Sequence, residues 1–330
     1  ADPLPGEYIS LDPMIRFPAG IWNELPFHEQ QWLRVEAAAR TSRGAALAGR
    51  SAARRMGMWV VSPDAEPIEL CLRSRGKPPS RANRPGYVYR RSLLRADEFR
   101  ELDGTLMTTP FRTFVDIARY HGFVEGLIAA DYLLYRGYTI DDLRERTERL
   151  GRLKGIDTVR RCLEHAVDNS QSPYESYMRA LLIDASAQHT TTSPVGLTGA
   201  ATFDLPVGGT LLARLYLGAY RASVGSALGH PPFFGTNCAF FARWWGEVRD
   251  AVDSADTFVH DDIQLSFAVR PHETVLYAPQ LSVRMDARAL RGAAQLRTRF
   301  HRGWYSMLRG FQTSPPPRRL LARWAGPREA

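Results

Sequence analysis

The sequence predicts an α+β fold: a small N-terminal sheet and a helical bundle, followed by a third, mixed stretch. Three observations predict it. Residues 67–73 and 87–94 alternate apolar and polar positions and read as strands. From Thr108 to Ala185, apolar residues recur at helical spacing between strong caps. Beyond residue 186 the pattern breaks into glycine-rich turns, aromatic clusters and short strand candidates.

Each element has a local reason. Residues 1–26 are proline-rich, with Glu7-Tyr8-Ile9 as a short strand. Trp32, Leu33, Val35 and Ala39 space a helix over 28–41. A short helix follows, with Ser51 as its cap and Gly57 as its stop. Glycine, proline and arginine over 74–86 force a loop or long hairpin connection. Thr108-Thr109-Pro110 opens the next helix with a hydroxyl cap and a proline where the missing N–H costs nothing. Phe111, Phe114, Val115 and Ala118 form its apolar stripe. Helices follow over 123–135, 140–150, 156–168 and 173–185; Thr139 caps the second, with Asp141 and Asp142 at its positive end. Residues 244–252 and 289–311 read as helices, the latter basic and amphipathic, and 274–277 and 281–284 as strands. Pro315-Pro316-Pro317 is expected to end ordered helix. The expected divisions are 1–107, a small α+β module; 108–185, a helical module; 186–196, a connector; 197–314, a third module; and 315–330, a basic mobile tail.

The chain has 330 residues, 44% hydrophobic and 24% charged, enough to bury a core in about two domains. Ala1–Gly6 carries neither a basic region nor an apolar core, so no signal peptide is expected, and no run of about 18 apolar residues suggests a membrane span. Cys71, Cys162 and Cys238 are far apart, which fits a reduced, cytoplasmic setting and offers no zinc spacing. The net charge of +8 is a C-terminal feature: residues 287–330 hold ten arginines against Glu329 alone. Such a tail favours anionic partners, whether nucleic acid, phosphate-bearing substrates or an acidic membrane surface.

One group of motifs matches a family. Ser51-Ala52-Ala53 with Gly57, Thr108-Thr109-Pro110-Phe111-Arg112-Thr113-Phe114-Val115-Asp116, Asp131, and Ser172-Pro173-Tyr174-Glu175-Ser176 with Arg179 stand in order. Residues 6–185 thereby resemble actinobacterial proteins related to AbiE-type antitoxins, regulator-like proteins whose relatives often carry a Vsr-like endonuclease domain. The resemblance implies a nucleic-acid or toxin partner and an N-terminal winged helix for operator DNA. Gly6-Glu7-Tyr8-Ile9 reads as the last strand of such a wing with nothing before it, so operator binding through that element is not expected. Arg112 and Asp116, four apart, are expected to pair on one helix face. Glu175 resembles the first-helix carboxylate of a Vsr-like metal site. No Glu-x-Asp-Gly or Asp…Glu-x-Lys pattern follows it to complete Mg²⁺ ligation, so it reads as a first-turn helix carboxylate and no metal set is assigned.

A second group matches another family. Leu197-Thr198-Gly199-Ala200-Ala201-Thr202-Phe203-Asp204, Gly229-His230, Phe234-Gly235-Thr236-Asn237-Cys238-Ala239-Phe240, His260-Asp261-Asp262-Ile263-Gln264-Leu265-Ser266 and Arg299-Phe300-His301-Arg302-Gly303-Trp304 occur in order. Residues 197–310 are similar to the C-terminal half of family 2 glycosyltransferases, which implies an incomplete α/β half domain of the GT-A type. By that resemblance Asp262 is the acceptor base, Asp261 the preceding acid, and Asn237, Arg299, Arg302 and Trp304 surround the acceptor and donor phosphates. A nucleotide sugar held by Mg²⁺ or Mn²⁺ would be the donor. No Asp-x-Asp occurs in the chain to hold that metal, and Gln264 replaces a usual aspartate.

The leading expectation is a non-catalytic regulatory or antitoxin-like protein, cytoplasmic and able to associate with membrane through its basic C-terminus. The alternative is an inverting family 2 glycosyltransferase using Asp262, with its donor-binding half outside this chain. A nuclease built on Glu175 is the third.

Overall fold

The computed structural model describes residues 7–42, 44–61, 66–72, 85–90, 94–188, 193–205, 207–252, 256, 258–286 and 292–325. Much of the predicted 74–86 connection, the middle of the 186–196 connector and residues 326–330 of the tail lie outside them. Two units divide the chain, Ala1–Ala180 and Leu181–Ala330, each with its own core. Helix outweighs sheet throughout, in keeping with α+β. Among the described residues no helix is long and apolar enough to cross a membrane.

Unit 1 opens with a hairpin, β1 (Tyr8–Asp12) and β2 (Ile15–Pro18), and two helices, α1 (Ala19–Glu24) and α2 (Phe27–Thr41). Next come β3 (Ala45–Leu47), α3 (Gly49–Arg55), β4 (Ile68–Leu72), β5 (Tyr87–Arg90), and the hairpin β6 (Phe99–Leu102) and β7 (Thr105–Thr108). Strand order is β5-β4-β3-β7-β6, with β4–β5 and β3–β7 parallel. Val35, Ala38, Leu47, Ala52, Ile68, Leu70 and Met107 bury one face of this sheet against α2 and α3. Ser51 is not the cap of α3. It lies inside the helix, buried, and its Oγ accepts the backbone N–H of Glu69 at 2.9 Å. The unforeseen β6–β7 hairpin turns at Asp103-Gly104, both at positive φ (50° and 70°), the geometry that lets a two-residue turn follow strand twist.

The helical half consists of α4 (Pro110–His121), α5 (Phe123–Tyr135), α6 (Ile140–Arg149), α7 (Ile156–His165) and α8 (Pro173–Gln188), near the expected bounds. Gly126 of α5 lets α4 and α7 approach: a Cβ there would stand 2.7 Å from both Ala118 Cβ and Cys162 Sγ. Charged groups line the junction of helices and sheet. Arg112, 1% exposed, donates from Nε and Nη2 to Asp116 (3.1 and 3.0 Å) and from Nη1 to Glu98 (2.8 Å). Burial raises the Asp116 carboxyl above its ordinary range despite Arg112 and Arg119. Glu69, fully buried, meets His121 Nε2 at 2.7 Å and accepts from Arg90 Nε at 2.8 Å. The expected Arg112–Asp116 pair is therefore a structural bracket between α4 and the sheet end.

Unit 2 contains β8 (Ser193–Phe203), α9 (Gly209–Tyr220) continuing through a wide turn into α10 (Ser226–Leu228), β9 (Cys238–Phe240), α11 (Ala242–Val248), α12 (Asp261–Ala268), β10 (Glu273–Met285), α13 (Ala293–Thr313) and α14 (Pro316–Trp324). Its sheet has the order β10-β8-β9, with β10 parallel and β9 antiparallel to β8. Two expected strands are one: β10 runs through both, with a register break between Ala278 and Ser282 where Pro279, Gln280 and Leu281 loop out opposite the Gly199–Ala200 step. Val195, Phe233, Trp244, Val248, Leu265, Val269 and Val275 form the core.

The three prolines do not end ordered structure. Pro315 precedes α14, and Pro316 and Pro317 occupy its first turn, where absent N–H groups have no helical partner to lose. This helix takes up residues 316–324 of the expected tail, 315–330. Arg319 is 5% exposed and donates to the carbonyls of Leu228, Phe267 and Val269. Burial, then the neighbouring Arg323, lowers its pKa to about 10. His230, buried against the same arginines, is lowered to about 3.

Candidate functional site

One concave surface lies within unit 1, a groove of about 860 Å³. Four segments far apart in sequence build it. Phe17 lies in β2; Leu25 sits between α1 and α2, and His28, Trp32 and Leu33 on the first half of α2; Met58 and Trp59 follow α3; Tyr174 lies in the first turn of α8. The turn after α3 is decisive. Gly57 takes φ 69°, its N–H reaches Arg54 O (3.2 Å) and the Met58 N–H reaches Ala53 O (2.8 Å). This closure satisfies the last carbonyls of α3 and throws Met58-Trp59-Val60 back across the helix end. Trp59 is then held by two rings of α5, Tyr135 at 5.2 Å and Tyr132 at 5.7 Å between centroids.

The groove is mostly apolar, with His28 and Glu29 on its lining beside Arg54. Its arginine, Arg54, is bound in a two-pronged pair to the buried Glu66 (2.7 and 2.6 Å). Trp32 is 43% and Tyr174 63% exposed on its rim. Exposed aromatic surface in a concave site suits an apolar protein element. A phosphate backbone needs unpaired cations, which this lining does not offer.

Unit 2 holds the residues singled out by the glycosyltransferase resemblance. Asp261 and Asp262 start α12. Asp262 Oδ2 accepts the Gly235 N–H at 3.2 Å and Oδ1 the Ile263 N–H at 2.9 Å. Burial raises its carboxyl above the ordinary range, against the help of those N–H groups and of His260. Asn237 adjoins this turn, but its amide serves the sheet: Nδ2 donates to Ala200 O (2.7 Å) and Leu281 O (2.9 Å), closing the break in β10. Arg302 donates to the carbonyls of Phe258 (3.0 Å) and Val259 (3.2 Å), ahead of α12. Arg299 and Trp304 lie exposed on α13. The fold thus joins Asp262, Gly235 and Asn237 at one turn, ties Arg302 to the backbone, and leaves Arg299 and Trp304 facing outward. Among the described residues no three His, Cys, Asp or Glu side chains group to hold a metal ion.

Glu175 sits exposed in the first turn of α8, where its carboxylate accepts the Gln171 N–H (2.9 Å) and its N–H donates to Ser172 Oγ (3.2 Å). Those bonds form a helix cap. Asp131 of the same motif set is fully buried and accepts from Arg179 and from the Val167 N–H, tying α5 to α8.

Residues 34–164 match the family model of the AbiEi antitoxin C-terminal domain. The match covers less than half of the chain, and no curated protein and no solved structure matches it. The antitoxin-like segment contains the five-stranded sheet, α3 to α7, and the groove wall at Arg54 to Val60. The opposite wall, Phe17 to Leu33, and Tyr174 are added by the flanking chain. Nothing in the comparisons supports the glycosyltransferase resemblance of 197–310 or the GT-A half domain. The groove itself escapes any local motif. The apolar run Met58-Trp59-Val60-Val61 directly after a helix-stopping glycine was its one sequence signal.

Proposed function

We propose that this chain is an antitoxin-like regulatory protein whose first unit holds an apolar segment of a protein partner, a toxin, in the groove between Trp32, Trp59 and Tyr174. One observation carries the reading: an antitoxin-like segment supplies one wall of an aromatic groove in which the one arginine of the described lining is already paired with Glu66. Nucleic acid is the less favoured partner for this face, because phosphates are gripped by available cations. The test is co-expression with an AbiE-type toxin from the same genome, scored by growth, with calorimetry on the purified pair. Protection by the wild-type chain and its loss in Trp32→Asp/Tyr174→Asp are expected, with affinity falling at least about tenfold. Absence of protection by the wild type defeats the antitoxin reading; protection untouched in the double variant defeats the groove.

A second reading rests on Asp262, a desolvated carboxylate with a raised pKa, suited to accept a proton from a hydroxyl. It requires a nucleotide sugar, Mg²⁺ or Mn²⁺, and a donor-binding half from another source. Calorimetric titration with UDP- and GDP-sugars plus Mn²⁺ tests it, and absence of binding removes it.

A further inference from the structure

The outward surface of unit 2 has an apolar stripe that the groove reading does not use. On α13, Phe300, Trp304 and Leu308 recur every fourth residue and so fall within about 80° of one another around the helix. They are 73%, 63% and 43% exposed. The same helix is seated firmly on its other side. Ser306, 1% exposed, accepts the His260 N–H at 2.9 Å, Arg302 binds the Phe258 and Val259 carbonyls, and Gly310 lies against the Phe267 ring, where a Cβ would collide. The stripe is therefore the outer face of a docked helix rather than a helix lacking a seat. On α14, anchored by the buried Arg319, Leu321 and Trp324 are 64% and 85% exposed.

Charge decides what such a face meets. Arg297, Arg299 and His301 are exposed at the head of the stripe, and Arg318 is exposed on α14. Between Asp286 and Glu329 the sequence contains no carboxylate at all, while residues 186–286 hold nine acids against six arginines. Seven of the ten arginines of 287–330 thus lie on α13 and α14, the helices that carry the exposed Trp304 and Trp324. Tryptophan and phenylalanine on one face with arginine around them, in helices not long and apolar enough to cross a membrane, suit the boundary between headgroups and acyl chains. A protein partner would tolerate acids in this stretch; an anionic surface would not. Duplex nucleic acid would place arginine, not Phe300 and Trp304, at the centre of the contact.

We propose that α13 and α14 lie flat on an anionic lipid surface, with Phe300, Trp304 and Leu308 inserted among the acyl-chain ends and the flanking arginines on lipid phosphates.

The experiment is sedimentation of the full chain with vesicles of phosphatidylglycerol and phosphatidylcholine in equal parts, against pure phosphatidylcholine, in 0.1 M NaCl. Binding to the anionic vesicles is expected to exceed that to neutral ones by at least about tenfold and to weaken in 0.5 M NaCl, where charges are screened within a few ångströms. Phe300→Ser/Trp304→Ser, at exposed positions that leave the seated face intact, should lose at least about tenfold in binding. A Trp32→Asp variant, altered only in the unit 1 groove, should bind like the wild type, so this result stands apart from the toxin test. Absence of binding by the wild type overturns the proposal. So does binding unchanged in the double variant, equal displacement by duplex DNA of random sequence, or a concentration-dependent dimer that the double variant abolishes while vesicle binding persists. Circular dichroism melting of each variant confirms that a loss reflects the surface and not unfolding.

Discussion

Asn237 occupies the space that a side chain on residue 199 would need. Its Nδ2 bridges Ala200 O and Leu281 O, holding β8 and β10 together across the three residues that loop out of register. Gly199→Ala is expected to cost about 1–3 kcal/mol by overpacking, and Asn237→Ala a similar amount by leaving two buried carbonyls unpaired. The double variant should cost less than the sum, because truncating Asn237 frees part of the room the new methyl needs. Urea unfolding of all four proteins checks this; strict additivity would show that the two positions do not share the space.

Glu69 ties the sheet to α4, and its charge is expected to set an acid limit for unit 1. Burial opposes ionisation, but the hydrogen bond and charge of His121, with those of Arg90, overcome it and hold the carboxyl below its ordinary value. A lowered folded pKa contributes stability above the unfolded value of about 4.3, and that contribution is lost as pH falls through the folded one. Glu69→Gln should cost about 3 kcal/mol at pH 7 and progressively less towards pH 3. Hydrogen exchange of β4 and α4 amides in the full chain reads it; a cost independent of pH would refute the assignment.

Arg112 should not accept lysine. Its guanidinium reaches Asp116 through two nitrogens and Glu98 through the third, a fork that a single ammonium cannot reproduce. Arg112→Ala is expected to cost about 3–5 kcal/mol by stranding a buried carboxylate, and Arg112→Lys to recover less than half of that. Full recovery in a thermal melt would mean that charge alone, without geometry, suffices.

The thiols should be nearly inert in the native chain. Burial raises Cys162 to about 12 and Cys238 to about 11, leaving little thiolate at pH 8. Cys71 is buried. Titration with a disulfide reagent should show slow reaction natively and rapid reaction of three thiols in urea. Fast native labelling of Cys162 would show that α5 and α7 part readily.

Truncation at Pro315 should destabilise unit 2 rather than merely shorten it. Arg319 fills a pocket of backbone carbonyls from the ends of α10 and α12. Arg319→Ala is expected to cost about 3 kcal/mol and to speed proteolysis within α14. Unaltered proteolysis would assign α14 a peripheral role.

Much of unit 1 was legible because its signals are local. Thr109-Pro110, Thr139 with Asp141 and Asp142, and Ser172-Pro173 each mark a helix start within four residues. Asp103-Gly104 was an equally local sign of the β6–β7 hairpin, masked by the charges of Arg100 and Glu101 on its outer strand. In unit 2 the signals conflict. Glycines at 208, 209 and 218 hide α9, and three prolines read as a stop although two fit a first helical turn. Ion pairs between distant positions, such as Arg54 with Glu66, leave no periodic trace. Nor does the groove, since Trp32, Trp59 and Tyr174 meet only through tertiary packing.

That last separation has a biological corollary. Phe17 and Tyr174 stand near opposite ends of unit 1, yet both line one recess. Such a recess exists only while unit 1 is folded as a whole, because its walls are joined by tertiary packing alone. An element held there, as proposed above, would be released when that unit unfolds, with no competing ligand required, so the stability of the fold would set how long the restraint lasts.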